Sequence, residues 1–535
     1  MTTARNSVTT SQTIAPPQWA AAQLRLRKAM ADWIARSMTR QRRLPWQGGH
    51  DEGSFVASWF GYHLLTGDTE VLAFLRWLRE EFLDWAPVHL LHGYYAAGEV
   101  HHQPESFIFF LPRLWQADPD SRVAAALDDA AHHAGNWIEG IPPWYDWERH
   151  RFRSWRLGTR EVHAQPPDNL ERPDHFRIIQ MALCAYRAVG DKRYLDLARD
   201  FCGRWAREIL DEDALPAVRL FGSGHAEDTH PAGQVQAAGA SADSRLELHV
   251  GAGTADVMLD LFTLTGDETL TAAVRKMLAA GIAHVGEPYA HPLAAAFRSY
   301  RIATGDTTFD ADVADRVHAV AQDLDCSMLI GPPSGSHPMG IGRRRDQVRW
   351  LVSGDSETWR EDLRSSPPAL ALAWDITGDE RLAAEAMTIA AQRMELAAGA
   401  LRDGRDHGCG GRSVSAVASG HGRNAGIGEV TGVLYPLALG ACRRFGADMP
   451  QVCIERAGGL GLPDGCAALW RQGRPPSVRL YNGSEEAVSL TLRFTAAEHE
   501  GTAAVHEETA PVKTITLSPS ESWQSDALNE VRTLE

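Results

Sequence analysis

The sequence has no uninterrupted apolar run of about 18 residues, the length a membrane-spanning helix requires, so no membrane partner is expected. It has little cysteine: seven among 535 residues, at Cys184, Cys202, Cys326, Cys409, Cys442, Cys453 and Cys466, and no C-x-x-C pair. An odd, dispersed set argues against a disulfide framework or a zinc knuckle and fits reduced thiols. Basic excess is also missing. The net charge is -16, which removes nucleic acid as the main partner, because such binding needs a cationic face. Residues 1–16 are polar and rich in Ser and Thr, without the apolar core of a secretory signal, so a disordered lead and a cytoplasmic location are expected. There is no H-E-x-x-H pattern; HHQPE at 101–105 brings two histidines and a glutamate together without helical ligand spacing, so neither a metal nor another cofactor is expected.

What is present is ordinary globular composition, 44% hydrophobic and 23% charged, and a repeated phrase. An apolar segment ends in Gly-Asp and an amphipathic segment follows at once, with the aspartate at Asp68, Asp191, Asp267, Asp306 and Asp379. Degenerate copies surround Asp118 and Gly446. Glycine takes the left-handed conformation that closes a helix, and the aspartate caps the next one. After Asp191, the residues Tyr194, Ala198, Phe201, Trp205 and Ile209 form the stripe of an amphipathic helix. The segments before the turns, such as DVMLDLFTL and PALALAWDI, are apolar nearly all round and should be buried on both sides. An inner ring of apolar helices inside an outer amphipathic ring predicts a mainly α fold, an (α/α)6 or (α/α)7 hairpin toroid over residues 17–470. From Pro475 the period changes to 2, with Asn482-Gly483 as a hairpin turn, which predicts a small antiparallel β domain over 475–535.

Inner helices that all run one way gather their preceding loops on one rim. Those loops are 48–54, 98–106, 172–177, 248–256, 286–292, 361–367 and 420–429, and seven histidines fall in six of them. The Gly-Asp turns occupy the other rim. Long polar loops on one face and terse turns on the other separate function from stability. The hairpin series, aromatic rim loops and C-terminal β region resemble the six-hairpin and related (α/α) toroid carbohydrate-active enzymes, which include glycoside hydrolases, unsaturated uronyl hydrolases and polysaccharide lyases. The resemblance is one of architecture over about residues 20 to 450; it implies glycan chemistry and assigns no roles.

Glycosidic hydrolysis needs a carboxylic acid and a second carboxylate as base or nucleophile. Glu105 and Asp174, at the starts of adjacent inner helices, form the first candidate pair. A lyase needs instead a His or Tyr base, a proton donor and an Arg or Asn to hold the uronate; His102, His175, His249 and His421 with Tyr94, Tyr95 or Tyr289 offer the base and acid, and Arg172, Arg177, Arg423 and Asn424 offer the hold on the anion. Guanidinium groups favour an acidic sugar under either scheme. Trp144, Tyr145 and Trp147 form a candidate stacking platform, and Glu429 completes the candidate substrate contacts. Asp174, His175 and Arg177 rank above Asp146 and Glu148, because RPDHFR at 172–177 must arrive at the mouth of an inner helix whereas the aromatic WYDW at 144–147 can lie along the side. The expected function is hydrolysis of an acidic, uronate-containing oligosaccharide. A uronate lyase and a non-catalytic glycan-binding scaffold are the alternatives.

Overall fold

The structure, a computed structural model, describes residues 15–41, 56, 59–100, 103, 105–220, 242–287, 291–324, 328–330, 350–352, 359–360, 364–400, 434, 436–439, 452–472, 477–494 and 512–525. Its helices are α1 (Gln18–Gln41), α2 (Trp59–Thr66), α3 (Thr69–His89), α4 (Glu105–Phe109), α5 (Leu111–Ala117), α6 (Ser121–His132), α7 (Phe176–Val189), α8 (Lys192–Asp211), α9 (Ala242–Ala252), α10 (Thr254–Thr265), α11 (Glu268–Gly281), α12 (His291–Thr304), α13 (Asp310–His318), α14 (Pro367–Thr377) and α15 (Glu380–Ala400). None of the described helices is long and apolar enough to cross a membrane.

The Gly-Asp phrase folds as its chemistry dictates. Gly67, Gly190, Gly266, Gly305 and Gly378 all have φ between 68° and 75°. The aspartate that follows each accepts the N–H two residues on, at Glu70, Arg193, Thr269, Thr308 and Arg381. The threonine that precedes four of these glycines also has a role. Thr66, Thr265, Thr304 and Thr377 each donate Oγ1 to the carbonyl four residues back and accept the aspartate N–H, so one hydroxyl ties the end of one helix to the start of the next. In the degenerate copy Asp118 ends α5 and Asp120 caps α6. The copy at Gly446 lies outside the described residues.

Burial separates two sets of helices. Residues 176–185 of α7 and 254–261 of α10 are buried without a break. In α8 the buried positions include the expected stripe Tyr194, Ala198, Phe201, Trp205 and Ile209. The series α7, α10, α12 and α14 packs side by side, α8 packs on α11 outside it, and α1 lies along α15, which brings the two ends of the helical series together. Polar groups tie the inner helices across the core. Arg187 of α7 makes a two-pronged pair with Asp260 of α10 at 2.6 and 2.7 Å, Ser299 of α12 donates to Asp256 of α10 at 3.0 Å, and Arg298 of α12 meets Asp375 of α14 at 2.7 Å.

The strands of the C-terminal β region begin earlier than the expected 475. They run Val452–Arg456, Gly459–Leu460, Cys466–Arg471, Ser477–Asn482, Val488–Phe494, Val512–Leu517 and Ser522–Ser525, in antiparallel sheets of four and three strands. CAALWR at 466–471 is buried at five of its six positions, so it shows no alternation by which the sequence could mark it as a strand. This β region covers the Gly-Asp end of the inner helices. Leu462 N–H donates to Leu65 O at 2.7 Å, Arg471 donates to Ile376 O at 2.9 Å, and Gln472 N–H reaches Asp375 at 3.2 Å. Carbonyls left unpaired where helices end are thereby satisfied. The approach is close enough that a Cβ on Gly67 would lie 1.9 Å from Leu460 O. The described connection 133–175 enters α7 at the opposite, N-terminal end.

Next to α6, His133 is buried at 3% exposure between Tyr94 and Trp144, with ring centroids 5.9 and 5.0 Å away. Burial first, then His92 and His132, lower its pKa from 6.5 to about 4. The folded chain therefore takes up this proton near pH 4 and the unfolded chain near 6.5. The stability contribution is complete above pH 6.5 and is lost as pH falls toward 4, by about 3 kcal/mol at one group. His133→Phe is expected to flatten the acid limb of the unfolding midpoint in urea between pH 6.5 and 4; an unchanged slope would refute this assignment.

Candidate active site

The segment from Ile141 to Glu171 is held against the outer helix α8 by long-range polar bonds. Tyr145 Oη donates to Asp200 at 2.7 Å, His150 meets Asp200 at 2.6 Å, Arg151 pairs with Glu208 at 3.2 Å, and the buried Glu171 pairs with Arg204. Asn136, in a left-handed conformation, donates to Tyr145 O and accepts from the N–H groups of Trp144 and Tyr145. Short ladders, Tyr145–Asp146 with Arg151–Phe152 and Leu170–Glu171 with Arg219–Leu220, complete the frame.

This frame decides the fate of the aromatic cluster. Trp144 and Tyr145 are each 1% exposed, the indole N–H of Trp144 donates to Gly158 O, and neither ring offers a face to a sugar. The stacking platform expected there is reduced to Trp147, which is 40% exposed. Asp146 is likewise structural: it accepts from the N–H groups of Glu148 and Arg149 and pairs with the side chains of Arg149 and Arg153 at 3.1 Å.

RPDHFR arrives where its position in the chain required. Pro173–His175 forms a single 3-10 turn that runs directly into α7. His175 is fully buried, with Nε2 on Ser154 O at 2.9 Å and Nδ1 accepting the Arg172 N–H at 3.1 Å. Nδ1 also lies 3.0 Å from Arg172 O, so both ring nitrogens are taken by backbone groups, and burial lowers the pKa of the ring. It pins the loop instead of serving as a base. His249 does the same in α9, where Nε2 meets Pro216 O at 2.6 Å and Nδ1 meets Thr254 Oγ1 at 3.2 Å in full burial. The expected rim loop 248–256 is in fact the end of α9 and the start of α10, joined at Gly253 with φ 76°.

The remaining residues of the turn form a charged group at the mouth of α7. Asp174 is 3% exposed and pairs with Arg172 at 3.3 Å, and the Arg172 guanidinium lies 5.1 Å from the centre of the Trp155 ring. Arg177 is fully buried, 5.5 Å from the Phe109 ring of α4. One turn further into the helix stands Gln180 at 2% exposure. Glu105 is the first residue of α4, and α4 packs on α7, so the two members of the expected carboxylate pair stand at the heads of neighbouring helices. The side chain of Glu105 lies outside what the structure describes, as do His102, His421, Arg423, Asn424 and Glu429. Asp256 adds a buried carboxylate in the first turn of α10. In the sequence Gln180 is marked only as a polar residue three positions after Arg177 in the otherwise apolar FRIIQMAL.

No family description and no curated protein matches the chain. The resemblance to carbohydrate-active enzymes expected from the sequence is found among solved structures. The chain is similar to an unsaturated glucuronyl hydrolase specific for heparin, at 11% identity and a TM-score of 0.42, covering 72% of this chain and 100% of that one. It is similar also to an unsaturated glucuronyl hydrolase from Bacillus sp. GL1, responsible for the degradation of glycosaminoglycan, at 13% identity and a TM-score of 0.40 over 69% of this chain and 96% of that one. A β-L-arabinofuranosidase from Geobacillus stearothermophilus is similar at 12% identity and a TM-score of 0.33, over 96% of this chain and 80% of that one. These likenesses are distant, and the reading of the site rests on its own side chains.

Proposed function

We propose that the protein is a hydrolase of an acidic, uronate-containing oligosaccharide, working at the N-terminal mouths of α4, α7 and α10. The observation that carries this reading is Asp174, a carboxylate at 3% exposure at the head of an inner helix and paired with Arg172, while the buried Arg177 stands in the first turn of that helix. A carboxylate beside a guanidinium is suited to act ionised, as the base toward water or as the nucleophile, and leaves the role of proton donor to Glu105 on the neighbouring helix. Arg177 supplies a planar fork for the uronate carboxylate. The lyase alternative is less well supported, since His175 and His249 have both ring nitrogens on protein partners and burial raises the pKa of Tyr94 far above that of a working base.

The test is a panel of uronate-containing oligosaccharides with their neutral counterparts, followed for new reducing ends and for near-ultraviolet absorbance. New reducing ends from the acidic members without a gain in absorbance are expected. A gain in absorbance would assign a lyase, and binding without product would assign a scaffold.

A further inference from the structure

The polar groups of the inner helices fall into two sets. Away from the mouth they are matched, Arg187 with Asp260 and Arg298 with Asp375, and at the mouth of α10 Asp256 accepts from Ser299. Gln180 is not matched. Its side chain is 2% exposed, and neither Oε1 nor Nε2 has a hydrogen-bond partner among the described residues. A buried amide left without partners costs roughly 1–3 kcal/mol per group, and a Leu or Met of similar size would remove that cost. Its place in the helix suggests what it is kept for. Arg177, Gln180, Cys184 and Arg187 recur at spacings of 3, 4 and 3 along α7 and form one stripe, and the last of them reaches Asp260 of α10. Gln180 is therefore on the side of α7 that meets α10, one turn inward from Arg177.

We propose that Gln180 is a specificity-determining residue whose amide binds a hydroxyl of the acidic sugar held at Arg177; this rests on the reading of the site as that of an acidic-glycan hydrolase. An amide offers one acceptor and two donors, so it matches a hydroxyl, which both donates and accepts. The guanidinium one turn nearer the mouth takes the carboxylate of the same residue. The ligand class is a uronate with a free hydroxyl close to its carboxyl group, and a sugar lacking that hydroxyl leaves the amide buried and unpaired again. Sites of this kind discriminate more strongly than apolar pockets do, for that reason.

The experiment compares the wild-type chain with Gln180→Leu in two measurements: the urea midpoint without ligand, and kcat/KM on a cleaved uronate oligosaccharide and on its deoxy analogues. The expected result is a midpoint equal to or above wild type and a fall in kcat/KM of about 10- to 100-fold on the hydroxylated substrate. On one deoxy analogue the variant and the wild type should cleave at equal rates. Equal losses on all substrates, or a lower midpoint, would show that the amide has a structural role and overturn the proposal. Wild-type rates in the variant would overturn it too, while leaving the hydrolase reading intact. A wild-type chain that cleaves no acidic glycan overturns that reading and this inference with it.

Discussion

Asp174→Asn is expected to lower kcat/KM on a uronate-containing oligosaccharide by about a thousandfold, within the range that removal of a positioned acid–base group produces. The change is isosteric and keeps a hydrogen-bond acceptor toward Arg172, so the urea midpoint should move little. The informative control is Asp146→Asn. Asp146 is also buried and also paired with arginine, yet its partners are Arg149, Arg153 and two backbone N–H groups of its own loop. That variant should lose stability and retain most of its turnover. If Asp174→Asn stays within tenfold of wild type, or Asp146→Asn proves the more damaging to catalysis, the placement of the site at the head of α7 is wrong.

Arg298→Met is expected to give the largest loss of stability, about 3–5 kcal/mol, the range found when one partner of a buried ion pair is removed. Arg298 and Asp375 are 7% and 1% exposed, and they join three parts of the molecule. The arginine bridges α12 to Asp375 of α14 and also donates to Pro436 O at 3.3 Å, while Asp375 accepts the Gln472 N–H from the β region. Methionine fills much of the volume and leaves the carboxylate, among the described residues, with the Gln472 N–H alone. Replacing both residues, as Arg298→Met with Asp375→Leu, removes the stranded charge and should recover much of the loss. The measurement is urea unfolding at pH 7 for the two single variants and the double variant. A double variant no better than Arg298→Met would show that the pair contributes through its links to Pro436 and Gln472 more than through its charges.

The residues whose roles were legible in sequence are those whose partners are near in the chain. Gly190 and Asp191 close one helix and open the next through backbone groups within four residues, so the phrase carries its own structure wherever it occurs. Tyr194, Ala198, Phe201, Trp205 and Ile209 announced their buried face through spacing alone. By the same logic RPDHFR had to arrive at the head of an inner helix. The misread residues are those whose partners are distant. Tyr145 resembles a sugar-stacking ring until Asp200, 55 positions away, takes its hydroxyl and encloses it. His175 resembles a base until the carbonyl of Ser154, 21 positions away, takes its Nε2.

The sequence by itself determined the helical hairpins, their Gly-Asp joints and the arrival of Asp174 at the mouth of α7, because backbone conformation and capping are decided within a turn or two of helix. Only the tertiary structure decided which polar residues are consumed in holding the chain together and which remain for a ligand. His175 and His249 are saturated by groups that folding brings from elsewhere, and Gln180 is buried without a partner among the described residues. Burial and hydrogen-bond satisfaction are properties of the whole packed core, and no local pattern of residues encodes them.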